Sequence, residues 1–164
     1  MPEQPWPQTD AAFEPLSPSA DNHVQMRFLS RSENESLARV VVGAFIAPLD
    51  PTMEELADIQ TAVSEAVTNA ILHGYPDQMG WIYLQATRLD REVSIKIRDY
   101  GTGIADIEAA RQPFFTTRPD LDRSGMGFSI MESFCDSVEI HSSPDMGTEI
   151  VLHKRFSDEP VQRG

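Results

Sequence analysis

Residues 56–74 read LADIQTAVSEAVTNAILHG, a helix whose apolar face is bordered by groups that resist burial. Ala62, Val63, Ala66, Val67, Ala70 and Ile71 recur at helical spacing and form one apolar stripe. Glu65 and Asn69, four residues apart, project together beside that stripe, with His73 one turn further on. A carboxylate and a carboxamide at the border of a core must be hydrogen-bonded, solvated or bound to something. His73, at the helix end, reads as a capping or packing residue.

The rest of the chain shows what this helix packs with. Val24, Met26 and Phe28 alternate with Gln25 and Arg27, which predicts a first strand. Ser32–Glu33–Asn34–Glu35 has the form of a capping box and opens a helix carrying Leu37, Val40, Val41 and Ala44 that stops at Pro48. Thr52–Met53–Glu54–Glu55 is a second such box and opens the long helix, which Gly74–Tyr75–Pro76–Asp77 ends. Residues 81–89 and 92–99 alternate as two strands around a tight turn at Asp90–Arg91. From 100 to about 123 the chain is rich in Gly, Pro, Thr and charge, with a short helical piece at 107–111; long connections of this kind are usually functional lids or disordered. A helix from Met126 and strands at 137–141 and 148–156, turning at 144–147, complete an α+β pattern of antiparallel strands with helices able to cover one face. Residues 1–23, with five prolines among acidic and small residues, read as a disordered tail before a domain at 24–157, and 158–164 as a short C-terminal tail.

Composition narrows the function. Thirteen basic against 26 acidic side chains give a formal charge of −13, which weighs against duplex DNA or an anionic membrane as partner. No apolar run approaches the roughly 18–20 residues that cross a bilayer, and the Pro-rich acidic start is unlike a signal peptide. Cys135 is the only cysteine, so no intrachain disulfide can form. A reducing cytoplasm is the expectation, with Cys135 a small core residue.

Asp99 is the most telling single residue. It shares parity with Val93, Ile95 and Ile97, so a regular strand carries its carboxylate into the end of the core. There it wants a donor, such as the exocyclic amino group of adenine; the other reading is a strand that ends early, with Asp99 opening a turn. Thr148 shares parity with Ile150 and Leu152 and points inward, either to complete an adenine pocket or to be satisfied by backbone. Gly101 and Gly103 suit positive φ or close backbone approach, as ordinary turn glycines also do. Ser124, Gly125, Met126 and Gly127 open a helix, where free N–H groups and the dipole favour an anion such as phosphate, or where Ser124 simply caps. Thr116, Thr117, Arg118 and Arg123 supply hydroxyls and positive charge just before it. Asn69 can offer its carbonyl oxygen to Mg²⁺, which usually takes few protein ligands besides phosphate oxygens, and Glu65 can polarise an attacking hydroxyl or water. The chain has no G-x-x-x-x-G-K-[ST], no H-R-D or D-F-G around its two lysines, and no H-E-x-x-H. These absences set aside P-loop enzymes, the eukaryotic-type kinase fold and zinc proteases.

In this order the segments resemble the GHKL ATPases: Glu65 to Asn69 the N box, Asp99-x-Gly101-x-Gly103 and Ser124–Gly125–Met126–Gly127 the two glycine boxes, Gly147–Thr148 the final threonine motif. SEAVTNAILHGY, SGMGFSIMESF and SSPDMGTEI are similar, nearly word for word, to the anti-sigma F family of sporulating bacteria, over residues 24–156. The resemblance implies a two-layer α/β sandwich: a mixed, mostly antiparallel sheet with helices on one face and an ATP lid. It implies an anti-sigma factor dependent on ATP and Mg²⁺ that holds the sporulation sigma factor F and phosphorylates a serine of its anti-anti-sigma antagonist. By the same resemblance Asn69 would ligate Mg²⁺ and Glu65 act as base. Asp99, Gly101, Gly103 and Thr148 would surround adenine, while Thr116, Thr117, Arg123, Ser124, Gly125, Met126 and Gly127 would meet the rest of the nucleotide. Glu35 and Arg39 would touch partners, although an i,i+4 surface pair is the plain alternative. Members are homodimers. Rival readings are a stress-response anti-sigma kinase of the sigma B type, a nucleotide-gated anti-sigma protein without kinase activity, and a detached histidine-kinase ATPase domain. The last lacks an upstream helical pair with a phospho-acceptor histidine.

Overall fold

The computed structural model describes residues 13–112 and 127–158. Five strands form one sheet in the order β1-β2-β3-β5-β4, every neighbouring pair antiparallel. They are β1 (Asn22–Leu29), β2 (Trp81–Leu89), β3 (Glu92–Asp99), β4 (Ser137–Ser143) and β5 (Gly147–Arg155). The helices are α1 (Glu33–Ile46), α2 (Met53–Asn69), the single turn α3 (Ile107–Ala110) and α4 (Gly127–Phe134). Alternation puts Ile82, Leu84 and Ala86 of β2, Val93, Ile95 and Ile97 of β3, and Ile150 and Leu152 of β5 on the buried face. Across from them α2 contributes Ile59, Ala62, Val63, Ala66 and Val67 and lies between α1 and α4. The result is one helical layer on one sheet.

The two predicted capping boxes have different fates. At Thr52 both hydrogen bonds form: Glu55 N–H donates to Thr52 Oγ1 at 3.1 Å, and Thr52 N–H to Glu55 Oε2 at 2.9 Å. Glu55 also accepts from Ser157 N–H at 2.8 Å, tying the start of α2 to the end of β5. At Ser32 the box does not form. Ser32 already has helical φ and ψ (−57° and −33°), whereas a cap needs an extended residue to aim its oxygen at the first free N–H groups. Asn34 instead donates to Leu29 O at 2.9 Å, and Glu33 and Glu35 turn to Arg31 and Arg39.

α2 does not run regularly to residue 74. Its α-helical winding stops at Asn69 and a π-turn, Ala70–Gly74, follows, closed by Tyr75 N–H donating to Ala70 O at 3.0 Å. Such turns admit one extra residue and cluster at functional sites.

The other face of the sheet is polar and aromatic, and the chain ahead of β1 lies on it. The Phe13 ring meets Tyr83 edge-on at 5.5 Å, and Tyr100 meets that tyrosine edge-on at 5.6 Å. Glu14 N–H donates to Gln85 Oε1 at 2.9 Å, Gln25 donates back to Glu14 O at 3.2 Å, and the Glu14 carboxylate pairs with Lys96. β1 itself starts at Asn22, inside the stretch expected to be tail.

Candidate functional site

Asp99 ends β3 with 2 % exposure, facing the helices. Gly101 N–H donates to its Oδ1 at 2.9 Å, so the residue both enters the core and opens a turn. Burial pushes its carboxyl up to about 6; the amides of Gly101 and Thr148 and the charge of Arg98 pull it back only in part. A carboxylate buried at the rim of a sheet with its pKa raised by burial is a candidate site for recognising an external donor.

Glycines set how closely the surrounding backbone approaches. A Cβ at Gly74 would stand 2.7 Å from the Asp99 carboxyl carbon, and one at Gly101 1.7 Å from Gly74 O. Gly101 is therefore needed for proximity alone, while Gly103 combines φ +72° with a Cβ position 2.0 Å from Ser143 O. Thr102 completes the seam: its N–H donates to Gly74 O at 2.9 Å and its hydroxyl to His73 O at 2.8 Å. The turn after β3 is thus stitched to the π-turn after Asn69.

Thr148 pairs with Asp99 across β5 and β3 and is 4 % exposed. Its hydroxyl is satisfied by a side chain, not by backbone: Ser142 Oγ lies 2.8 Å away. Ser142 donates to Gly147 O at 2.9 Å and accepts from Ile104 N–H at 2.7 Å. With the Ser142 proton on that carbonyl, the Thr148 hydroxyl donates to Ser142 and keeps lone pairs for a ligand. Sequence reasoning missed Ser142. Its one visible signal is that it stands opposite Thr148 in a hairpin whose turn is marked by Pro144 and Gly147.

Glu65 and Asn69, both half-buried, lie on α2, with Asn69 its last residue before the winding changes. Glu65 faces the start of α4: a Cβ on Gly127 would be 3.2 Å from Glu65 Oε2. This brings Gly127, the last residue of Ser124–Gly125–Met126–Gly127, against Glu65. Thr116, Thr117, Arg118, Arg123, Ser124, Gly125 and Met126 lie outside the described residues. Glu35 and Arg39 stand on α1 with their charges 3.9 Å apart, and the same helix exposes Leu37 and Val40.

A family model described as the histidine kinase-like ATPase domain matches residues 28–154. That is the class to which this sheet, helical layer and rim carboxylate correspond. The Anti-sigma F factor of Bacillus subtilis is 58% identical over 137 residues, covering 83% of this chain and 94% of its own. That of Clostridium perfringens is 53% identical over 138 residues, covering 84% and 99%. Among solved structures, one of the RsbU and RsbW domains of a Mycobacterium tuberculosis protein shares the fold, with TM-score 0.62 and 20% identity over 85% of this chain and 34% of that one. The chain belongs to the anti-sigma F factor family.

Proposed function

We propose that this chain is a cytoplasmic, homodimeric anti-sigma factor that binds ATP with Mg²⁺, holds the sporulation sigma factor F, and phosphorylates a serine of its anti-anti-sigma antagonist. The observation that carries the nucleotide part is the buried Asp99 at about 6, paired with Thr148 across the strands and walled by Gly74 and Gly101. Its carboxylate is an acceptor for the amino group of adenine. Asn69 would provide one oxygen to Mg²⁺, which supplies charge neutralisation on the phosphates; the ion needs few protein ligands. Among the described residues no cluster of three His, Cys, Asp or Glu competes for that role. Glu65, beside the start of α4, would take the proton of the serine hydroxyl as its oxygen bonds to the terminal phosphorus of ATP and ADP leaves. The arginines and the helix start would hold the transferring charge, so the protein contributes mainly positioning and electrostatics. Among the described residues no helix is long and apolar enough to cross a membrane.

The test is one assay: γ-labelled ATP, Mg²⁺, the chain, sigma factor F and the candidate antagonist. Label on an antagonist serine, with sigma factor F retained only when ATP is present, is the expected result. Retention without label would leave a nucleotide-gated binding protein, and capture of a stress-response sigma factor instead would reassign the target.

A further inference from the structure

Tyr75 follows the π-turn and is 1 % exposed. Its ring lies against Gly80, where a Cβ would stand 2.3 Å from it. Its hydroxyl donates to Trp81 O at 2.7 Å and accepts from Tyr100 N–H at 2.8 Å. The β2–β3 register ends at Tyr83 opposite Arg98, and continuing it would bring Trp81 opposite Tyr100. The hydroxyl therefore sits between a C=O and an N–H that an unbroken ladder would bring face to face. The two strands part by the width of one hydroxyl, immediately after Asp99. Burial holds the Tyr75 phenol well above its ordinary range, so it remains a donor at any working pH.

We propose that Tyr75 is the positioning residue for base recognition: its hydroxyl splices the β2–β3 ladder open and sets where the Asp99–Gly101 turn, and with it the adenine acceptor, stands. This rests on the nucleotide reading above. Tyr75 acts through the backbone of Tyr100. The same side chain follows the turn that begins after Asn69, so one residue ties the metal-side helix to the adenine-side strand. Removing the hydroxyl deprives Trp81 O and Tyr100 N–H of their shared partner and leaves the Asp99–Gly101 turn without its spacer.

The experiment compares the full-length parent with Tyr75→Phe, which keeps the ring on Gly80. Two readouts are taken: affinity for non-hydrolysable ATP and GTP analogues, and amide hydrogen exchange without nucleotide. The expected result is a folded variant whose ATP affinity falls about tenfold while GTP affinity barely changes, a loss on the scale of a buried hydrogen bond. Tyr100 and Gly101 amides should exchange at least about tenfold faster than in the parent. ATP affinity within about twofold of the parent, or equal losses for ATP and GTP, overturns the proposal, because a merely structural residue does not change base discrimination. Should the variant not fold, exchange in the parent decides: a Tyr100 amide as fast as a free loop amide overturns the splice. A parent that binds no ATP analogue overturns the nucleotide reading and this proposal with it, whereas a binding parent with an indifferent variant removes only Tyr75.

Discussion

Replacing Asp99 with asparagine should make the empty protein more stable while destroying its site. In the native state the Asp99 carboxyl sits at about 6, against an ordinary 3.8. The gap of about two units corresponds to roughly 3 kcal/mol, at about 1.4 kcal/mol per unit. A carboxyl whose folded pKa exceeds its unfolded one binds its proton more tightly in the native state. Protonation then favours folding, and stability falls as pH climbs from about 4 to about 6 and levels off above. The substituted carboxamide would be isosteric and uncharged, and its carbonyl oxygen would still accept from Gly101 N–H. The stability of Asp99→Asn minus that of the parent should therefore rise by up to about 3 kcal/mol between pH 4 and 7. Urea unfolding of both proteins without nucleotide, at pH 4.5, 5.5 and 7.5, measures that difference, and pH effects from other carboxylates cancel in it. Binding of an ATP analogue should meanwhile be lost. A difference that stays flat with pH would refute the account of Asp99 as an ionised group held in the core at the expense of the fold.

Other changes separate the remaining roles. Glu65→Gln should retain nucleotide binding and slow phosphoryl transfer by roughly 10²–10⁴-fold, read as label on the antagonist serine; undiminished transfer would remove Glu65 as the base. Asn69→Ala should weaken binding of the Mg²⁺ complex of ATP while changing metal-free ATP little, measured by paired titrations with and without a chelator; superimposable curves for variant and parent would cancel the metal assignment. Thr52→Ala should cost about 1 kcal/mol of unfolding free energy, whereas Ser32→Ala should stay within about 0.5 kcal/mol, since only the first residue caps its helix. Equal losses at the two positions would contradict the geometry at Ser32.

Strand parity carried much of this fold. The alternation of Val93, Ile95 and Ile97 placed Asp99 inside, and that of Ile150 and Leu152 turned Thr148 inward as well, because a period of two leaves a strand residue only two faces. The four-residue spacing of Glu65 and Asn69 did the same on α2. Ser142 and Tyr75 escaped because their roles depend on which strands become neighbours and where a ladder ends, and neither is written in local spacing. The Ser32 box failed for a related reason. Its residue types are right, but the chain enters α1 already helical, with Asn34 held by Leu29 O. The contacts of Glu14 were hidden by composition: a segment poor in apolar residues can still dock when its target is itself polar, as Gln85 and Lys96 are.

Glu14 meets Gln85 and Lys96 across 71 and 82 residues of chain. During synthesis it is made long before either partner exists, so this contact closes only after β2 and β3 have emerged and paired. The opening segment is then laid onto a finished surface, like a strap fastened last. A protease nicking the exposed stretch between residues 14 and 19 would release it while leaving all five strands, with Asp99 and Thr148 on them, in place.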